Sequence, residues 1–169
     1  MPERILSGKP LAISPPHPHI CPESAIFDGL IHWSGGKTMT DSELMQLSER
    51  VGLALKAQGA TVTTAESCTG GWIAKAITDI AGSSAWFERG FVTYSNEAKS
   101  QMIGVREETL QAHGAVSEPV VVEMAIGALR AARATYALSV SGIAGPDGGS
   151  DDKPVGTVWF GLACATGQG

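Results

Sequence analysis

The sequence predicts an α/β protein, a three-layer α/β/α sandwich around a mixed, mostly parallel sheet, and three observations carry that expectation. From Thr40 onward, short β-branched runs alternate with segments whose apolar residues recur at helical spacing, as in strands joined through helices. The last two strand-like runs follow one another across a loop rich in Gly, Pro and Asp, which adds at least one antiparallel strand. The 169 residues, 43% hydrophobic and 17% charged, suffice for one core and not for two comfortable ones.

Residues 1–38 read differently from the rest. Prolines at positions 2, 10, 15, 16, 18 and 22 interrupt any periodicity, so this piece is expected to be a disordered or loosely packed extension, dispensable for folding. The prolines also break any apolar stretch that a secretory signal would need. Ser34-Gly35-Gly36-Lys37-Thr38 has the form of the end of a phosphate-binding loop, but the earlier glycine would fall at Ile31, so that reading is discarded. His17, His19 and Cys21 are too incomplete a ligand set for a structural metal.

The elements then follow in order. Thr40-Asp41-Ser42-Glu43 has the T-x-x-E form of a capping box, and Leu44, Leu47, Val51 and Leu55 recur at helical spacing, predicting a helix from about 41 to 57 closed by Gly59. Thr61–Ala65 reads as a strand and Gly71–Ile80 as a helix, followed by a short strand at Phe91–Tyr94. Asn96 can cap a brief helix through Met102, with another from Arg106 to Ala112. Ser117-Glu118-Pro119 is a helix start, with Pro119 in the first turn, and Val122, Ala125, Ile126 and Leu129 supply an apolar face toward Ala134. Tyr136–Ser141 and Val155–Cys164 are the last two strands. With no helix after them a sheet face would be left exposed, so Gly169 reads as a truncation point of a longer domain or as the limit of the ordered chain.

Composition excludes several function classes. The net charge is −5 and the twelve Lys and Arg are scattered, which argues against a nucleic-acid surface built on phosphate neutralisation. No apolar run reaches the length needed to span a bilayer, so no membrane partner is expected. Three cysteines without CxxC spacing signal neither a disulfide framework nor a zinc site, and fit a cytoplasmic setting.

The segment from Thr61 to Trp72, TVTTAESCTGGW, carries the most chemistry. It places Ser67 and Cys68, both nucleophiles by type, on a strand-to-helix turn where free N–H groups and the positive end of a helix can hold an oxyanion or a phosphate. The plainer alternative is that Glu66, Ser67 and Thr69 only cap the helix. A serine nucleophile needs a base, and the histidines are poorly placed: His17, His19 and His32 lie in the extension and His113 ends a helix. A lysine with a lowered pKa can replace histidine, and Lys99 is the best placed, five positions after Tyr94 around one strand-to-helix turn. By spacing alone, a solvated Lys99 and a core-edge Tyr94 remain open.

AESCTGGW, YSNEAK, GAVSE, SGIAGPDGG and KPVGTVWFG, in that order, closely resemble the nicotinamide-nucleotide amidase family, the C-terminal domain of the competence/damage-inducible protein CinA. The resemblance covers Met39 to Gly169 and finds no counterpart for residues 1–38. The family continues past Gly169 with a further strand and an arginine-bearing helix. What the resemblance implies is hydrolysis of the carboxamide of nicotinamide mononucleotide to nicotinate mononucleotide and ammonia, in pyridine nucleotide salvage. Ser67 would be the nucleophile and Lys99 the base, Tyr94 would assist proton transfer, and neither metal nor cofactor would be needed. The N–H groups of Cys68, Thr69 and Gly70, with Gly71 opening the helix, are then candidates for the oxyanion site. The loop holding Gly142, Gly145, Gly148 and Gly149 would wrap the nucleotide 5′-phosphate as a nest, with Lys153 adding charge; a plain hairpin connection and a solvated lysine are the alternatives. A nucleotide-binding module with weak or no catalysis, and a Cys68 thiol hydrolase, are the competing functions. Assembly as a homo-oligomer is compatible with all three.

Overall fold

The computed structural model describes residues 3–6 and 38–165. In chain order its elements are β1 (Glu3–Leu6), α1 (Asp41–Ala57), β2 (Val62–Glu66), α2 (Trp72–Thr78), a single 3-10 turn at Ser83–Ala85, β3 (Phe91–Val92), α3 (Asn96–Ile103), α4 (Glu107–His113), α5 (Glu118–Ala132), β4 (Tyr136–Gly142) and β5 (Val158–Ala165).

Local chemistry accounts for most of these boundaries. The Thr40 hydroxyl accepts from the Glu43 N–H at 3.1 Å, so the T-x-x-E signature caps α1 as expected. Ser95, not Asn96, caps α3, its hydroxyl accepting from the Ala98 N–H at 3.0 Å. α2 opens later than the sequence predicts because Gly70 and Gly71 take positive φ angles of 60° and 99°, which no helix can include. β5 likewise starts three residues late: Thr157 turns back on Pro154, both its N–H (3.0 Å) and its hydroxyl (2.7 Å) donating to the Pro154 carbonyl.

The sheet order is β1-β5-β4-β2-β3. β2 pairs in parallel with β3 on one side and β4 on the other, while β5 is antiparallel to both β4 and β1. β5 alone therefore runs against the other strands, and the sheet is mixed. β1 is a strand that the sequence reading did not contain. Four residues are too short for a periodicity, and what defines them is pairing of Glu3–Leu6 with Leu162–Ala165 at the outer edge of β5. Cys164 on β5 is disulfide-bonded, which neither the count nor the spacing of the cysteines signalled.

Alternation along the strands separates two cores, one on each face. On one face Ala65, Ala137 and Ala163 pack under α5 with Val120, Val121, Met124 and Leu129. On the other, Val62 and Tyr136 pack with Leu55 of α1, Ile77 of α2 and Trp86. The three layers follow. Leu138, Phe160 and Leu162 share this second face and are only half-buried.

α3 sits on the α5 side because Gly127 lets it approach. A Cβ at Gly127 would lie 1.8 Å from the Ile103 carbonyl oxygen, at the end of α3, an overlap that only backbone movement relieves. Gly127→Ala is expected to lower stability by about 1–3 kcal/mol in denaturant unfolding. It should also lower turnover, because α3 carries Lys99; unchanged stability would show that α3 can shift freely.

Candidate active site

β2, β3 and β4 point their carboxyl ends the same way, and the chain leaves β2 for β3 on one side before crossing back to β4 on the other. In open α/β sheets such a switch point is where a crevice forms. Ser67 lies there. It follows β2 directly, and its N–H donates to the Val140 carbonyl at 3.1 Å, continuing the β2–β4 ladder one residue beyond β2.

Lys99 comes from the first turn of α3 and is 1% exposed. Its Nζ lies 3.0 Å from Ser67 Oγ, 2.8 Å from the Thr93 carbonyl and 3.3 Å from the Tyr94 carbonyl. Two of these three partners can only accept, whereas the serine hydroxyl can donate or accept. A neutral amine has two hydrogens and one lone pair, so it can donate to both carbonyls and accept from Ser67 Oγ–H. An ammonium can instead donate to all three. The cage thus satisfies both protonation states, which a base must pass between. Burial pushes the Lys99 pKa below its ordinary value, and Cys68 opposes this only in part. Among the described residues Lys99 forms no ion pair that would hold it charged.

Cys68, next in the chain, is half-buried and its thiol is pushed up in pKa by that burial, so it stays protonated near neutrality. Its sulfur rests against Gly142, where a Cβ would come within 3.0 Å of Sγ and 2.9 Å of the Thr157 carbonyl oxygen. Gly142 therefore acts here by its size, joining the end of β4 to the turn.

The capping role foreseen for Glu66, Ser67 and Thr69 is divided among them. Glu66 is completely buried, and its carboxylate accepts from the Ile73 and Ala74 N–H groups at 2.8 and 2.9 Å and from the Thr69 hydroxyl at 2.8 Å. Ser67 takes no part in the cap and turns to Lys99. The positive end of α2 is consequently neutralised by Glu66 and does not face an incoming group. Among the turn amides, Gly70 N–H donates to the Ser67 carbonyl at 3.0 Å and is committed to the turn. The N–H groups of Cys68, Thr69 and Gly71 have no such backbone acceptor.

Tyr94 meets the pair through its carbonyl, which lies 3.5 Å from Ser67 Oγ, while the residue as a whole is 68% exposed. A backbone contribution of this kind could not be read from residue type. In the loop after β4, Gly145 and Gly149 close around Val155, since a Cβ would come within 2.5 Å of its Cγ1 at the first and 2.7 Å of its backbone nitrogen at the second. Gly148, at φ 95°, has open space around it. The amides of Gly145, Gly148 and Gly149 have no backbone acceptor, as a nest requires. Lys153 Nζ donates to the His113 carbonyl at 2.7 Å, where α4 ends. His113 itself enters by that carbonyl. His17, His19, Cys21 and His32 lie outside the described residues, and among those described no cluster of three or more His, Cys, Asp or Glu could hold a metal. No described helix is long and apolar enough to cross a membrane.

The fold and the site geometry together define an open-sheet α/β protein with a serine and a buried lysine at its topological switch. More narrowly, residues 44–168 match the CinA C-terminal domain, and the chain belongs to that family. It is 86% identical over 131 residues to nicotinamide-nucleotide amidohydrolase PncC of Escherichia coli K12, spanning 78% of this chain and 79% of that one. The PncC of Enterobacter agglomerans is 68% identical over 130 residues, 77% of this chain and 79% of its own. Among solved structures, competence/damage inducible protein CihA from Agrobacterium tumefaciens superposes with a TM-score of 0.70 at 50% identity, covering 76% of each chain.

Glu66→Gln tests the cap. It replaces a charged acceptor of three hydrogen bonds, each worth about 1.5–3 kcal/mol when charge-assisted, by an amide that can accept through one atom only. A loss of stability of about 2 kcal/mol or more in urea unfolding is expected; an unchanged midpoint would show that the cap is dispensable.

Proposed function

We propose that the protein is an amidohydrolase that converts nicotinamide mononucleotide to nicotinate mononucleotide and ammonia, with Ser67 as nucleophile and Lys99 as base. The observation that carries this reading is the 3.0 Å contact between Lys99 Nζ and Ser67 Oγ, made by an amine whose burial favours its neutral form. The names of the PncC relatives supply the substrate. Localisation in the cytoplasm and a place in pyridine nucleotide salvage go with it.

In the first half-reaction Ser67 Oγ forms a bond to the amide carbon while its proton passes to Lys99, and negative charge gathers on the carboxamide oxygen. The N–H groups of Cys68 and Thr69, which donate to no backbone carbonyl, are the donors for that oxygen. As the C–N bond breaks, the Lys99 ammonium returns the proton to the departing nitrogen and ammonia leaves. Water then attacks the Ser67 ester carbon, losing its proton to Lys99, and as the bond to Ser67 Oγ breaks Lys99 returns that proton to Oγ, so nicotinate mononucleotide leaves and both groups are restored. The free amides of Gly145, Gly148 and Gly149 suit the 5′-phosphate. Lys153, held at the His113 carbonyl, would add positive charge to that side of the site. Tyr94, largely exposed, is available to lie along the substrate, with its carbonyl orienting Lys99.

Ser67→Ala should leave the fold intact and reduce ammonia release by about a thousandfold or more. In the wild type, activity should rise with pH as Lys99 loses its proton, and level off below the ordinary lysine pKa of about 10.4, because the folded pKa is lowered. Lys99→Arg, which keeps the charge but cannot act as a base, should abolish turnover. Retention of most of the rate in that variant would sink the Ser–Lys reading. Iodoacetamide should largely spare activity, since the Cys68 thiol is protonated; complete inactivation by alkylation at Cys68 would favour a thiol mechanism. Nucleotide binding without any ammonia release would instead identify a sensor.

A further inference from the structure

Ser141 is 1% exposed, and among the described residues its hydroxyl has no hydrogen-bond partner. A buried hydroxyl without a partner is destabilising and uncommon in a folded chain. The sheet shows what this one faces. Glu66 pairs with Val140, and the Ser67 N–H donates to the Val140 carbonyl, so Ser67 and Ser141 are direct neighbours on adjacent parallel strands. Alternation puts Ser141 on the same face as Ser139, whose hydroxyl donates to the Val121 carbonyl of α5 at 2.5 Å. That is the α5 face, from which α3 brings Lys99 to Ser67. The two serines of β4 thus differ in one respect: Ser139 is satisfied by the core, and Ser141, one step nearer the strand end, is satisfied by nothing there.

On the β3 side of Ser67, Oγ meets Lys99 Nζ at 3.0 Å and the Tyr94 carbonyl at 3.5 Å, and the Thr93 carbonyl holds Lys99 from behind at 2.8 Å. Ser141 stands on the opposite, β4 side. Neighbouring strands lie about 4.8 Å apart, so rotation about the Ser141 Cα–Cβ bond is enough to carry its hydroxyl toward Ser67 Oγ.

We propose that Ser141 is a positioning residue for the nucleophile, its hydroxyl donating a hydrogen bond to Ser67 Oγ as that oxygen gives up its proton to Lys99. This rests on the reading of Ser67 and Lys99 given above. Ser141 keeps its own proton throughout, and the only proton transferred is the one from Ser67 to the Lys99 lone pair. The hydrogen bond is weak while Ser67 is a neutral hydroxyl and strengthens as charge builds on Oγ, so it favours the transition state over the ground state.

Ser141→Ala in the full chain is the test, with ammonia release from nicotinamide mononucleotide, thermal unfolding, and the rate at which phenylmethylsulfonyl fluoride labels Ser67 all measured. Removing an unpartnered hydroxyl should leave the melting temperature unchanged or raise it. kcat should nevertheless fall by about 10²-fold, with KM changed by less than about threefold, and labelling of Ser67 should slow in parallel. Wild-type kcat in the variant, or a fall in kcat that only accompanies a fall in melting temperature, would overturn the proposal. Should the wild type release no ammonia from this nucleotide, the assigned substrate is wrong and labelling alone decides the role of Ser141. Slower labelling in the variant then upholds the role, and equal labelling or none in either protein removes it.

Discussion

A lysine amine shut off from water must find all its partners inside the protein, and the way Lys99 does so constrains the carboxyl ends of the strands around it. Its three contacts come from the residue after β2 and from two carbonyls just beyond β3. Each strand end must therefore stop at the right height, and α3 must enter at the right angle. Ser95 sets the start of α3, and the bare Gly127 backbone lets its far end settle on α5. The pair of core clusters, one on each face of the sheet, holds these ends in place.

The electrostatics follow from the same burial. Among the described residues no carboxylate pairs with Lys99, so desolvation is opposed only in part, by Cys68, and the neutral amine is favoured. The buried carboxylate of Glu66 is occupied by three donors at the start of α2. Had Glu66 turned toward Lys99, an ion pair would have kept the amine charged and unable to accept a proton. The two buried ionisable groups are kept apart by the alternation of the strand, which sends residues 66 and 67 to opposite faces.

Much of this was legible in the sequence where residue type dictates geometry. The T-x-x-E cap of α1, Pro119 at the start of α5, and the β-branched run ending in Ser67 each specify a local conformation by chemistry alone. The convergence of Ser67 and Lys99, 32 positions apart, was suggested by Tyr94 and Lys99 flanking a turn and by the family motifs. What stayed hidden depends on groups that every residue shares. The carbonyls of Thr93, Tyr94 and His113 act through the backbone, so their roles carry no residue signature. Lys153 illustrates the cost, being a loop cation by type and a helix-end donor in the fold. β1 was missed for a related reason, because an edge strand of four residues is defined by its partner rather than by its own pattern.

Glu66 and Ser67 share a peptide link yet answer to different layers of the sandwich, one gripping the first turn of α2 and the other facing the helices of the opposite layer. The nucleophile is thereby levered to a helix with which, among the described residues, it shares no hydrogen bond. A disturbance in the packing of α1 against α2, remote from the crevice and on the wrong face of the sheet, would reach Ser67 through a single rotated peptide plane. The outer layer that contributes no group to the chemistry thus sets the aim of the oxygen that performs it.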